Sequence, residues 1–336
     1  GALPRIGRQV VVLGTLASVR ATATPQLPGT AVFAKTAGDA QTNTVATALP
    51  DSLGVSVKLA DGRLVVGARV RWSAGSGSGS ARDSVTTTGA TGDAGNRWTL
   101  GTAAGGQTLV ASLSGLSSLT FTATARPGPA TSVAVRAGNG QSTAVGAAVP
   151  VAPSVTVRDA YANVVAGVVV TFAAASGGGS VTGSLDTTGS DGIAAVASWT
   201  LGTTAGANWL TATVSGLTSV SFSATGTAGP AFALATFAGN DQSHQVAGLL
   251  DVAPAVRVTD SYGNGVPGVT VTFSVSVASG GGAITDSVKT TDPAGIAAVG
   301  SWTLGINPGG NALTATASGL SPTSFNAQGQ ALAFSS

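Results

Sequence analysis

The chain carries a single histidine, His244, in the run Asp241-Gln242-Ser243-His244, and it has no cysteine, methionine or glutamate. A zinc site needs several nitrogen or sulfur ligands, and thiol chemistry needs cysteine. A Ser-His-Asp triad would need His244 beside a nucleophile and a carboxylate, and no Gly-x-Ser-x-Gly elbow is present. Asp241 reads as a turn former. Gly263-x-Gly265-x-x-Gly268 matches the letters of a dinucleotide fingerprint, but that fingerprint runs from a strand into a helix. Here an alternating run, Val269 to Phe273, follows instead, so these glycines read as a hairpin turn. Asp159 with Asn163, and Asp260 with Asn264, could offer oxygens to Ca²⁺. They lack the dense acidic pattern of a dedicated loop and read as Asx turns. The expectation is a protein that is not an enzyme, with no metal and no cofactor.

Arg69 and Arg71 alternate with Val70 and Trp72. With Trp72 inward, both arginines point out from one face of one strand. They are a candidate surface contact for an anionic polysaccharide, a lipid headgroup or a neighbouring subunit; such a pair is more often just a solvated face that keeps the sheet soluble. Nucleic-acid binding would need a denser basic stripe with exposed aromatics, and none is seen. Trp209 is the one tryptophan outside the expected cores and the one to test for ligand contact.

These residues sit in an unusual composition. Charged residues make up 8% of 336, against about 25% in ordinary soluble domains. All 13 acidic residues are aspartates, and lysine occurs only at Lys35, Lys58 and Lys289. Valine, threonine, serine, alanine and glycine dominate, which suits strands and turns rather than helices. Polarity carried by hydroxyls gives a weakly repelling surface, suited to packing against copies of itself or a cell envelope. Without disulfides each domain must be held by its apolar core, and about one hundred residues suffice for that. The longest apolar run near the start, Val10 to Val19, is ten residues between Arg8 and Arg20. A membrane helix needs about twenty. A signal-peptide remnant is a second reading of that run, and the missing Met at position 1 suggests a processed or excised chain.

Internal repetition decides the architecture. Trp-Thr-Leu-Gly occurs at Trp98–Gly101, Trp199–Gly202 and Trp302–Gly305, at steps of 101 and 103 residues. Other landmarks keep the step: Ala37-Gly38-Asp39, Ala137-Gly138-Asn139 and Ala238-Gly239-Asn240; Trp72, Phe172 and Phe273; Leu113-Ser114-Gly115-Leu116 and its two counterparts. Within a repeat the period is two. In repeat 3, Val256 to Thr259, Val269 to Phe273, Ile296 to Leu304 and Ala312 to Ala317 read as strands between turn clusters such as Asp292-Pro293-Ala294-Gly295. About seven strands per hundred residues is the count of a β-sandwich. The Trp-Thr-Leu strands and the Trp72/Phe172/Phe273 position are expected to fill the cores. The glycine tracts Gly75–Ser80, Gly177–Ser180 and Gly280–Gly282 recur at one place per repeat and are expected to let consecutive domains abut. The junctions Arg126-Pro127-Gly128-Pro129 and Thr227-Ala228-Gly229-Pro230 are short and contain proline, which predicts semi-rigid connections.

Val258 to Phe273, then Thr290-Thr291-Asp292-Pro293-Ala294-Gly295-Ile296-Ala297, Trp-Thr-Leu-Gly and Leu313 to Leu320 together resemble a bacterial immunoglobulin-like domain of the invasin/intimin group. Repeat 2 is similar; repeat 1 is more divergent, with Asp61-Gly62-Arg63 in its first turn. The resemblance implies an extracellular setting in stalks, adhesins or surface arrays, and it names no receptor. The fold expected is all-β: three tandem immunoglobulin-like β-sandwich domains in an elongated rod, with an extra N-terminal strand or hairpin. The domains read as 1–29 (a strand segment), 30–128, 129–229 and 230–336.

Both ends echo the repeats. Val19 to Thr24 followed by Pro25 resembles Phe121 to Arg126 followed by Pro127, the last strand of repeat 1. Gly329 to Phe334 resembles Gly229 to Leu234, the opening strand of repeat 3. One reading is an excerpt of a longer array. The other is a secreted, cell-surface subunit that polymerises head to tail by strand complementation. On that reading Val10, Val12, Leu16, Val19, Ala21 and Ala23 at one end, and Leu332 and Phe334 at the other, are the candidate inter-subunit strands. The partner is then the chain itself, with cell envelope or polysaccharide as further candidates; a monomeric adhesin stalk is the alternative. Residues 1–97 contain ten basic groups against five aspartates, and the rest five against eight, a polarity that favours head-to-tail contact.

Overall fold

A computed structural model describes residues 31–277 and 280–332. Contacts divide the chain into two compact units, one ending at Pro127 and the other starting at Gly128. The first holds repeat 1 and the second holds repeats 2 and 3. Among the described residues there are thirty strands, ten per repeat, and no helix long and apolar enough to cross a membrane.

Repeat 2 shows how the sequence builds each sandwich. A five-stranded sheet runs in the order Gln141–Ala144, Val220–Thr227, Gly206–Thr213, Val169–Ser176, Leu185–Thr187. A three-stranded sheet runs Ser132–Ala137, Ser154–Arg158, Ile193–Ala195, and a two-stranded ribbon pairs Ser180–Thr182 with Ser198–Thr200. Neighbours are antiparallel except Gln141–Ala144, which lies parallel to Val220–Thr227 and so brings the first and last segments of the repeat together. Alternation sends Val155, Val157, Val170, Phe172, Leu210 and Phe222 between the sheets, where they are buried with Trp199 and Leu201. Each such side chain contributes roughly 1.5–3 kcal/mol of burial. Repeats 1 and 3 repeat this core around Trp98 and Trp302.

The recurring Ala-Gly-Asp/Asn landmark is where the first strand changes sheets. Gly138 has φ 84°, and a Cβ there would lie 2.7 Å from the Pro153 Cα. The next residue offers a side-chain oxygen to the last strand: Asn139 Oδ1 accepts the Ser223 N–H at 2.8 Å. Asp39 does the same for Thr122, and Asn240 for Asn326, each at 2.8 Å. Aspartate and asparagine interchange here because only the acceptor oxygen is used.

One expectation is corrected. Ile296 to Leu304 is not one strand. It breaks into Ile296–Ala298, paired with Ala255–Thr259, and Ser301–Leu304, paired with Gly282–Thr285. The crossing at Val299-Gly300 carries the chain between sheets, and this kind of crossing raises the strand count per repeat to ten. The glycine tracts make a contact inside each repeat that the sequence did not show. In repeat 2 a Cβ on Gly202 would lie 1.7 Å from the Gly177 carbonyl oxygen, so the tract and the Trp-Thr-Leu-Gly glycine pack on each other inside the repeat. Gly305 meets Gly280 in the same way, and Gly101 meets Gly77.

Candidate functional site: the junction of repeats 2 and 3

The turn Asp260-Ser261-Tyr262-Gly263-Asn264 follows the strand Ala255–Thr259 and ends on Gly265, whose own contact with the Ala294 carbonyl leaves no room for a Cβ. Asp260 is 2% exposed. Its Oδ1 accepts the N–H groups of Tyr262 and Asn264, both at 2.9 Å. Its Oδ2 accepts the Gly229 N–H from the linker at 2.8 Å and the Asn264 Nδ2 at 2.9 Å. Four N–H donors thus occupy the carboxylate, which fits the Asx-turn reading and leaves no lone pairs arranged for a cation.

Asn264 carries the arrangement across to repeat 2. Its Nδ2 donates to the Thr203 carbonyl and its Oδ1 accepts the Ala205 N–H, each at 2.8 Å. Tyr262 lies on Gly146, where a Cβ would sit 2.9 Å from the phenol oxygen. Linker, turn and the preceding repeat are therefore tied through one buried carboxylate and one amide. Repeat 2 builds the same turn from Asp159, Tyr161 and Asn163, with Asp159 Oδ2 accepting the Gly128 N–H at 2.8 Å.

Burial desolvates the Asp260 carboxylate and pushes its pKa up, but the hydrogen bonds from the Asn264 side chain and from the Gly229, Asn264 and Tyr262 N–H groups outweigh this and hold it below the ordinary aspartate value. Asp159 is lowered by the matching set. A depressed folded-state pKa contributes stability that is present above the unfolded value of about 3.9 and is lost as pH falls through the folded value. Calorimetry should therefore show the transition of repeat 3 unchanged down to about pH 4 and falling below it. Asp260→Asn should flatten that acid limb while costing about 1–3 kcal/mol at neutral pH. An acid limb that survives the substitution unaltered would assign it to other carboxylates.

The other sequence candidates lie apart from this junction. Arg69 and Arg71 are exposed on the strand Arg69–Ala74, as alternation predicts, and line a shallow groove with Ser112, Leu113 and Ser114. Val10, Val12, Leu16, Val19, Ala21, Ala23 and Phe334 lie outside the described residues; Leu332 is described and 51% exposed. His244 is half-buried on the strand Gln242–Gln245, its Nδ1 facing Gly248. Among the described residues no group of three or more His, Asp, Glu or Cys side chains is placed to hold a metal. Trp209 is 44% exposed on the outer face of the five-stranded sheet, opposite Ser223. Sequence reasoning reached Asp260 and Asn264 as turn formers and missed their reach into repeat 2. The only signal was the recurrence of Asp-x-Tyr-x-Asn beside a short linker.

Strand order, parallel closure and core define a tandem array of immunoglobulin-like β-sandwiches. No protein-family model matches the sequence, and no curated protein matches it. Among solved structures, that of FdeC, an Escherichia coli adhesin, superposes with a TM-score of 0.52 at 19% identity, covering 89% of this chain and 97% of that one. Yersinia pseudotuberculosis InvD aligns at TM-score 0.45 and 16% identity over 88% and 96% of the two chains. Invasin, a bacterial integrin-binding protein, aligns at 0.43 and 18% over 90% and 60%. The resemblance read from the repeat motifs thus holds at the level of fold: this chain has the tandem immunoglobulin-like fold seen in FdeC.

Proposed function

We propose that this chain is a structural, non-catalytic segment of a bacterial surface protein, in which tandem repeats space or present something else outside the cell. The observation that carries the reading is the junction itself. The Asp260 carboxylate holds the linker at Gly229 and the Asn264 amide holds repeat 2, so these buried polar groups are spent on a junction rather than facing a cleft. The fold shared with the FdeC adhesin supports an extracellular setting. Arg69 and Arg71, exposed side by side, are the groups that would meet an anionic envelope polymer or an adjoining subunit.

The assembly form of the proposal is head-to-tail polymerisation through the chain ends, with residues 10–23 and 332–334 as the pairing strands. Each described sandwich already holds its own last strand, Leu119–Arg126, Val220–Thr227 or Thr323–Gln330, beside its early segment. An incoming strand would therefore add at a sheet edge such as Val32–Ala37 or Val85–Thr87. Electron microscopy and sedimentation of the full chain against a chain lacking residues 1–29 test this. Filaments from the full chain and discrete particles from the truncation support strand donation. Monomers from both leave a stalk segment and remove the polymer.

A further inference from the structure

We propose that the Asp-x-Tyr-x-Asn turn is a docking element with a defined partner: the end of another repeat that offers a carbonyl and, two residues on, a free backbone N–H. In repeat 2 these are the Thr203 carbonyl and the Ala205 N–H, both engaged by the Asn264 amide at 2.8 Å. An amide is suited to this because it donates and accepts from one planar group. The turn is preorganised before it meets its partner, since Asp260 holds the Asn264 N–H and Nδ2 from within repeat 3. The same carboxylate holds the linker at Gly229, so seating the turn also sets the path of the connecting chain.

Two places in this chain lack this code: the first turn of repeat 1 and the Leu304 to Gly309 loop of repeat 3. At the corresponding turn of repeat 1, Leu59 stands for Asp260, Asp61 for Tyr262 and Arg63 for Asn264. The backbone turn is kept, with Leu59 N–H donating to the Arg63 carbonyl at 2.8 Å as Asp260 N–H does to Asn264 at 2.9 Å. The chemistry is not kept: leucine cannot hold a linker N–H, and a guanidinium only donates, so it cannot take the N–H half of the pair. Arg63 is instead paired with Asp61 at 2.8 Å in solvent. At the far end of repeat 3, the loop that matches Leu201 to Gly206 reads Leu304-Gly305-Ile306-Asn307-Pro308-Gly309. Pro308 stands where Ala205 gives its N–H, and proline has none to give. Ile306, in place of Thr203, is 78% exposed. A domain placed before repeat 1 or after repeat 3 would not be held by this clasp, and its joint would move more freely.

The inference deepens the structural reading, and the two fail separately. A catalytic activity would overturn that reading without touching the junction; a mobile wild-type junction would overturn the clasp alone. The absence of cysteine makes the test clean. Spin labels on Ser221→Cys and Ser324→Cys, both exposed, report the distance between repeats 2 and 3 in the full chain. The wild-type pair should give one narrow distribution. Ala205→Pro imports the residue that repeat 3 tolerates at that place. Asp260→Leu with Asn264→Arg imports the residues that repeat 1 tolerates. Both should broaden the distribution severalfold while calorimetry shows the repeats still folded; Asn264→Ala serves if either import fails to fold. A broad distribution in the wild type, or an unchanged narrow one in the folded variants, overturns the proposal.

Discussion

Trp199→Ala should remove most of the stability of repeat 2 and leave its neighbours folded. Trp199 is 1% exposed and packs between the sheets with Val155, Leu201 and Phe222. It sits on the short strand Ser198–Thr200, held by Ser180–Thr182 on one side and by a bridge to Ala148 on the other, so the backbone around the space left behind is fixed in place. Removing a buried tryptophan costs about 3–5 kcal/mol. A domain of this size holds only about 5–15 kcal/mol in total, and each kcal/mol moves its melting point by roughly 4–8 °C. Scanning calorimetry of the full chain should therefore show one of the domain transitions displaced downward by well over 10 °C, about 3 kcal/mol at the least. Trp209→Thr is the matching control. Trp209 is exposed, and repeat 1 carries Thr108 at the same place, so the change should stay within about 0.5 kcal/mol. Equal effects from the two substitutions would mean that the buried tryptophan is not the core of its repeat.

Gly202→Ala should be the most damaging single methyl group that can be added to repeat 2. Its Cβ would lie 1.7 Å from the Gly177 carbonyl oxygen and 2.8 Å from the carbon of the same group. Both sides of the contact are backbone, so no rotamer change relieves it. The Gly202 N–H also donates to Asn208 Oδ1 at 2.9 Å, and Asn208 is fully buried. Any shift that relieves the clash strains that bond. Overpacking costs about 1–3 kcal/mol, and a weakened buried hydrogen bond about 1–3 more. Gly216→Ala makes the contrast: it has φ 79° but nothing within 4 Å of the added carbon, so only the left-handed backbone penalty of about 1–2 kcal/mol applies. Urea titration of both variants separates the causes. A Gly216→Ala loss equal to or larger than that of Gly202→Ala would show that backbone conformation, not close contact, explains the glycine of the Trp-Thr-Leu-Gly motif.

The end-segment expectations, residues 10–23 and 334, rest on sequence likeness to last and first strands and lie outside the described residues. Leu332 is exposed, and no strand extends over it. Arg69 and Arg71 were readable because the pleat has a strict period of two: once Trp72 is inward, its alternating neighbours are outward. The Asp260–Asn264 pair was readable only as a turn, because local sequence reports bonds a few residues apart.

Period-two alternation, abundant turn residues and a repeat of about one hundred residues were enough to determine three β-sandwiches and their core tryptophans, because side-chain direction in a strand is a local property. What a strand pairs with is not local. That the first segment of each repeat splits between sheets at its Ala-Gly landmark, and that Ile296 to Leu304 breaks to join two sheets, depended on partners well outside the segment itself. The two recurring glycine features were both visible, yet only the folded chain showed that they touch. The junction was decided at long range too: Asn264 meets Thr203 and Ala205 some sixty positions earlier. On the repeat 2 side no residue type points to that contact, because Thr203 and Ala205 contribute only main-chain groups, which nearly every residue carries.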